Sequence, residues 1–393
     1  MAGAGECPTT LSLLRPPESP QVIGQPPRMD HYNKMGSSLA DLTDDLLVEI
    51  FSRLPVKSVC RSKCVSRYWH GLISHRAHRK KLPQTLSGFF SRHISQGDGP
   101  RFDSTLGGQE RHVSDPSLSF LPGYRTVRPV DCCNGLLLCL CSKDSTSNER
   151  NYVVCNPATE KWLILPDSGR HNEVFARRLC FDPAISSRFH VFSILEDVDD
   201  CITDVEIYSS EAGEWSHKEN GWSQEIMLYD RSVFLNGMLY FKSYDSAVVT
   251  VDKEGKTWKT IPLLETMAVE ISLVSNEALI GQSQGRLHYV NARDRDASTL
   301  SVWILDSHHS GKWIFKYNIS TSKLFGHKGF RLSRNYSLIA IHPDCNLIFI
   351  ILNGENLLLS YDMDRGKVRV IHNLKDPFDE RYNPYLPYVP LFT

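Results

Sequence analysis

The chain lacks any long apolar run. Its longest, Leu136–Cys141 (LLLCLC) and Leu347–Leu352 (LIFIIL), are six residues each. That is strand length, whereas a membrane-crossing helix needs about 20 residues. It also lacks net charge: 44 Lys and Arg stand against 45 Asp and Glu, a formal charge of −1. No global field therefore draws nucleic acid or an anionic membrane to it, and neither is expected as a partner. The N-terminus shows no basic stretch followed by an apolar one, so no secretory signal is expected. The 11 cysteines are odd in number, and no C-x-x-C pairs recur. They read as reduced thiols of a nuclear or cytoplasmic protein rather than a disulfide framework or a zinc site. With 41% hydrophobic and 23% charged residues, wholesale disorder is excluded and a sizeable core is affordable.

Three regions follow one another. Residues 1–37 are rich in Pro and Gly with little apolar periodicity, and read as a disordered tail. Residues 38–82 are helical in pattern. From 86 to 393 short apolar runs alternate with Asn-Gly, Asp-Pro, Gly-Lys and Ser-Gly turns, which reads as all-β. This last region repeats itself. Five units each read as four strands with a tight turn between the first two. Trp162, Trp215, Trp258 and Trp313 open the last strand of four units and Val368 that of the fifth, at spacings of 53, 43, 55 and 55 residues. Such spacing is close to that of propeller blades. A four-stranded sheet cannot bury both faces alone, and radial stacking does so while leaving only short edges. A Trp recurring at one place suits an inter-blade contact. A sandwich whose strands begin at Trp is the plain alternative. A sixth blade is predicted from residues 86–125 joined by the C-terminal NPYLPYVPLFT, whose prolines at 384, 387 and 390 allow an edge strand but not a central one.

The helical segment is LADLTDDLLVEIFSRLPVKSVCRSKCVSRYWHGLI. Thr43 suits an N-cap, and Asp44 and Asp45 favour the positive end of a helix dipole. Leu46, Leu47, Ile50, Phe51 and Leu54 make a broad apolar face. Pro55 ends that helix and can begin a second with Val56, Val59 and Cys60. A third carries Tyr68, Trp69, Leu72 and Ile73. So small a bundle has more apolar surface than it can bury internally. Either a partner covers the surplus, or the segment caps the β region.

The run Asp44-Asp45-Leu46-Leu47-Val48-Glu49-Ile50, then Ser52-Arg53-Leu54-Pro55-Val56-Lys57-Ser58, Lys63-Cys64-Val65-Ser66, Trp69 and Leu72-Ile73 resembles an F-box of the plant type. Cys133-Asn134-Gly135-Leu136, Cys155-Asn156-Pro157-Ala158-Thr159, Lys161-Trp162 and Leu165-Pro166 are similar to marks of the F-box-associated propeller. The resemblance implies a multidomain chain, α then all-β: a three-helix F-box and a six-bladed, kelch-like β-propeller. It implies a non-catalytic substrate receptor of an SCF-type ubiquitin ligase, docked on a Skp-type adaptor and through it on cullin and RING subunits. Carried over by position, Leu42, Leu46, Ile50, Leu54, Pro55, Val65 and Trp69 would contact the adaptor or support that contact. The family usually has Pro where Thr43 stands, which would weaken adaptor binding modestly. A propeller scaffold whose F-box recruits no ligase, and a propeller enzyme, are the competing readings.

No catalytic, metal or cofactor constellation emerges. Gly281–Gly285 (GQSQG) matches the nucleophile elbow of hydrolases, but a strand pattern follows it where that motif needs a helix. Ser283 is therefore placed in a hairpin turn. Cys139 and Cys141 lie on one strand face and read as small core residues. Cys60 and Cys64 read as packing residues, and His75, His78, His308 and His309 as surface histidines. Nine bases and no acid between Arg53 and Lys81 read first as a solvated face, with attraction to an acidic adaptor surface, and nuclear import or nucleic acid, as the alternatives. The target is unnamed by any motif. Its recognition would fall on the insertions 143–151, 196–204 and 291–299.

Overall fold

A computed structural model of the chain describes residues 42–54, 56–62, 65–75, 78, 86–92, 99–105, 113, 115–143, 150–170, 174–183, 185–222, 225–267, 278–292, 299–326, 336–374 and 385–391. The expected tail at 1–37 lies outside them. Three short helices come first: α1 (Asp44–Ser52), α2 (Val56–Ser62) and α3 (Arg67–Ser74). Six antiparallel sheets then follow one another around a ring. Blade 1 holds β1 (Gly88–Arg92) and β2 (Pro100–Ser104). Blade 2 is β3 (Thr126–Cys133), β4 (Leu136–Ser142), β5 (Arg150–Asn156) and β6 (Lys161–Ile164). Blade 3 is β7 (Val174–Phe181), β8 (Phe189–Glu196), β9 (Ile202–Ser209) and β10 (Glu214–Glu219). Blade 4 is β11 (Leu228–Leu235), β12 (Met238–Ser243), β13 (Ala247–Asp252) and β14 (Trp258–Pro262). Blade 5 is β15 (Leu279–Ser283), β16 (Arg286–Ala292), β17 (Thr299–Leu305) and β18 (Trp313–Ser320), with a short helix α4 (Thr321–Phe325) after it. Blade 6 is β19 (Tyr336–Ile341), β20 (Leu347–Leu352), β21 (Leu357–Asp362) and β22 (Lys367–Asn373), and β23 (Leu386–Tyr388) returns to blade 1.

The sequence dictates this locally. Asn134-Gly135, Asn236-Gly237 and Gln284-Gly285 all take positive φ, the two-residue turn whose twist matches flanking strands. Ser283 sits in such a hairpin, as expected, fully buried with its hydroxyl donating to the Cys345 carbonyl at 3.2 Å. The apolar strand faces then stack in six clusters, one at each blade junction. Cys139 and Cys141 are core residues between blades 1 and 2, and burial pushes the Cys141 thiol up to about 12. Strand β23 pairs with β1, with Gly88 opposite Tyr388 and Phe90 opposite Leu386. The proline-rich C-terminus is thus an edge strand, on the innermost side of its blade.

The repeated tryptophans divide. Trp215 donates its indole N–H to the Pro166 carbonyl of the preceding blade at 2.8 Å, and Trp313 to that of Pro262 at 3.2 Å. Trp258 meets Trp222 edge-on at 4.7 Å. These are the inter-blade contacts the repeat predicts. Trp162 departs from the prediction: it stays 41% exposed, against 5% for Trp313. Trp162 pairs with Cys155, whose side chain belongs to the junction with blade 1. Blade 1 has three strands among the described residues, one fewer than each of the other five blades.

In blade 6 the turn after β19 is built on a buried histidine. His342 Nδ1 accepts from the amides of Asp344 at 3.0 Å and Cys345 at 3.2 Å, which leaves the ring proton on Nε2. Burial lowers its pKa to about 4, and protonating Nδ1 would set an N–H against two others.

Two outcomes are expected from these contacts. Trp313→Ala should cost about 3–5 kcal/mol and Trp162→Ala less than about 1 kcal/mol, read by denaturant unfolding of the two variants. Equal costs would contradict the exposed setting of Trp162. For His342, the unfolded chain binds the extra proton between its ordinary value near 6.5 and the folded value of about 4. Stability from the neutral ring is therefore complete above pH 6.5 and lost as pH falls toward 4, on the order of 3 kcal/mol. The melting temperature should fall across that window, and less steeply in His342→Asn.

Candidate functional site

Helix α1 begins at Asp44, which puts Thr43 at the N-cap position. Its inner side buries Leu47, Val48 and Phe51. Phe51 meets Trp69 of α3 edge-on at 5.0 Å, and Val59, Leu72 and Ile73 complete this small core. Ser66 caps α3 by accepting from the Trp69 amide at 3.1 Å. The Tyr68 hydroxyl donates to the Asp44 carboxylate, tying the starts of α1 and α3 together and raising the phenol pKa. On the outer side Glu49 and Arg53 pair at 2.7 Å.

What this core does not bury is apolar. Leu46 is 53% exposed, Ile50 44%, Val65 65% and Tyr68 53%. Leu46 and Ile50 are one turn apart on the outer side of α1. Of the residues carried over from the F-box pattern, Leu46, Ile50 and Val65 stand exposed, while Leu42, Leu54 and Trp69 are half-buried. Pro55 lies outside the described residues. Tyr68 is the exposed member that the pattern omitted. Its signal was its place beside Trp69 on a helix only two turns long. His78 turns inward, with Nδ1 3.1 Å from the Leu72 carbonyl, and Cys64 and the side chain of Cys60 lie outside the described residues.

On the ring, the insertions 143–151, 196–204 and 291–299 each join the second strand of a blade to the third. Antiparallel pairing within each blade brings the strand ends that flank them to one end, the end where the first strands begin. Residues 144–149 and 293–298 within them lie outside the described residues. The 196–204 hairpin is acidic. Asp197 Oδ1 accepts from the amides of Asp199 at 2.9 Å and Cys201 at 3.0 Å. Burial together with Asp200 and Asp197 raises the Glu196 carboxyl. Val198 at the tip is almost wholly exposed.

The ring encloses a cavity of about 220 Å³ lined by the first strands of blades 2–6 and by β23. Its wall on blades 2–4 carries Asp131, Arg178, Asp230 and Arg231, and the opposite wall is apolar. Asp131 accepts from the amides of Cys132 at 2.9 Å and Leu179 at 2.7 Å. Burial raises its carboxyl pKa, with Asp230 adding and Arg178 opposing. Arg178 donates to the Arg177 carbonyl at 2.8 Å and to both the carbonyl and the carboxylate of Asp230. Arg231 reaches the Leu338 carbonyl of blade 6 at 2.8 Å. Sequence reading did not single these four out. Their signal was charge inside otherwise apolar strands, in TVRPVDCC, FARRLCF and LYDRSVFL of three consecutive units. Among the described residues no group of His, Cys, Asp and Glu is placed to hold a metal ion, and no helix is long and apolar enough to cross a membrane.

The architecture is thus three short helices with an unburied apolar side, followed by a six-bladed ring. The F-box domain family matches residues 39–81, and the family described as F-box protein At3g26010-like, beta-propeller matches residues 118–383. The chain belongs to the F-box proteins that carry this propeller. It is 30% identical over 308 residues to the F-box protein At5g07610 of Arabidopsis thaliana, covering 73% of this chain and 72% of that one. It is 23% identical over 347 residues to the F-box protein At5g18160 of the same plant, covering 82% and 84%.

Proposed function

We propose that the chain is the target-recognition subunit of an SCF-type ubiquitin ligase. Its F-box docks on a Skp-type adaptor, which links it to cullin and RING subunits, and the propeller holds a target protein. The observation that carries this reading is the exposed apolar set Leu46, Ile50, Val65 and Tyr68 on a helical unit whose core is already made by Leu47, Val48, Phe51, Val59, Leu72 and Ile73. Single exposed apolar residues are ordinary, but four on so small a unit suit a partner surface. The chain itself performs no bond chemistry in this role. It raises the effective concentration of a target lysine near the charged conjugating enzyme.

Capture of the full chain by a purified Skp-type adaptor tests the docking step. The wild type should be retained, and Leu46→Glu with Ile50→Glu should weaken retention roughly 30-fold or more, as for a central interface contact. Circular dichroism of the double variant should be unchanged, because both side chains lie outside the helical core. A wild-type chain that is not captured, under conditions that capture a proven F-box protein, overturns the proposal.

A further inference from the structure

We propose that the channel of the ring is a recognition pocket for a cationic side chain, arginine or lysine, on an extended segment of the target, seated against Asp230 and Asp131. This rests on the reading of the chain as a target receptor and names the chemistry of what it receives.

Accessibility decides the sign of the ligand: of the four charged side chains in the wall only Asp230 is exposed, while Arg178 is buried and Asp131 and Arg231 are half-buried. The two guanidinium groups in the wall are engaged. Arg178 donates to one carbonyl and to both the carbonyl and the carboxylate of Asp230, and Arg231 crosses to the Leu338 carbonyl. The two carboxylates are not saturated. An ionised carboxylate accepts about four hydrogen bonds. Asp131 receives one amide on each oxygen, and Asp230 receives Arg178 on one oxygen only while its side chain is 71% exposed. The capacity within reach of a ligand at the mouth is thus that of the Asp230 carboxylate, which takes a donor.

The shape and surroundings agree. Asp230 lies near the start of β11, toward the loop-bearing end. The facing wall, with Gly281, Ala340, Leu386 and Pro387, offers apolar surface to an aliphatic stem, which suits a side chain that buries its methylenes and keeps its charge on a polar partner. Around the same end of blades 3 and 4 stand Glu196, Asp197, Asp199, Asp200, Glu225 and Asp245. Ile202 is tied to the Ile226 carbonyl at 2.8 Å, so the acidic hairpin and the link carrying Glu225 form one surface. That surface steers a basic segment toward the mouth.

The test uses the full chain and three fluorescein-labelled octapeptides in which serine alternates with arginine, with citrulline or with glutamate. Citrulline keeps the shape and most hydrogen bonds of arginine without the charge. Fluorescence anisotropy in 0.15 M salt should show the arginine peptide binding at least tenfold tighter than the citrulline peptide, with no binding of the glutamate peptide. Asp230→Asn should remove at least fivefold of the arginine peptide's affinity. Ser232→Arg, which places a guanidinium of the chain's own in the cavity, should do the same, and it decides the matter if Asp230→Asn melts early. Equal binding of arginine and citrulline peptides, or binding untouched by Ser232→Arg, overturns the proposal and assigns any attraction to the acidic rim alone. Adaptor capture is measured on the same variants. Its loss in the wild type would sink the ligase reading, while the peptide result would stand on its own.

Discussion

The ring depends on one short pairing. Strand β23 lies against β1, joining residues 300 positions apart, Gly88 to Tyr388. Loop-closure entropy grows only logarithmically with length, so the distance in sequence is a modest extra cost. What matters is that no local contact can substitute for it. The pairing places Tyr388 edge-on to Phe90 at 5.2 Å and lets Phe89 meet Phe349 of blade 6 at 5.0 Å. It lays the following residues against the first tight turn of blade 2, where a Cβ on Gly135 would stand 2.5 Å from Leu391. At the periphery the Asp103 carboxyl of blade 1 meets His372 of blade 6 at 3.2 Å and Arg101 at 2.9 Å. Burial alone would raise that carboxyl, and these two partners hold it below its usual range. Without closure the apolar faces of blades 1 and 6 would both stand in water.

Closure also explains why polar residues lie where a sandwich would be apolar. The first strands of neighbouring blades converge around an axis too narrow for a core and too wide for none. Polar side chains and backbone groups span the gaps: Asp131 to the Leu179 amide, Arg178 to Asp230, Arg231 to the Leu338 carbonyl, and the Gln284 amide to the Pro343 carbonyl at 2.7 Å. Each fixes the angle between two blades and satisfies a group that would otherwise be buried unpaired. Asp131, Arg178, Asp230 and Arg231 also form the channel wall, so the architecture and the candidate pocket share these side chains.

Much of this was legible in the sequence. The Asn-Gly turns, the regular Trp positions and the alternation of apolar residues specify blades because each signal acts within about 20 residues. The F-box helices were legible for the same reason. Two features were not. Trp162 follows the repeat as faithfully as Trp313, yet it stands exposed, because burial at that position depends on the neighbouring blade and not on residues near Trp162. The channel quartet was visible as misplaced charge, but its convergence depends on three blades meeting at one axis. Periodicity reports which face of a strand is buried, and it is silent on which buried edge meets its counterpart across a ring.

The two candidate surfaces differ in physical kind, and the difference suits their roles. On α1 and α3 the exposed set is aliphatic and aromatic, and Phe51 against Trp69 holds its geometry. Such a surface binds by removing apolar area from water and serves a partner that is always the same. The channel and its rim are ionic with one apolar wall. Charge there adds little net affinity once desolvation is counted, but it discriminates sharply, since a like charge or an unpaired group in the pocket costs more than a correct pair gains. A chain that must meet one constant adaptor and reject most other proteins is best served by apolar docking at one site and electrostatic selection at the other, and the exposed Leu46 and Ile50 on one helix and the unsaturated Asp230 at the channel mouth are where those two requirements fall.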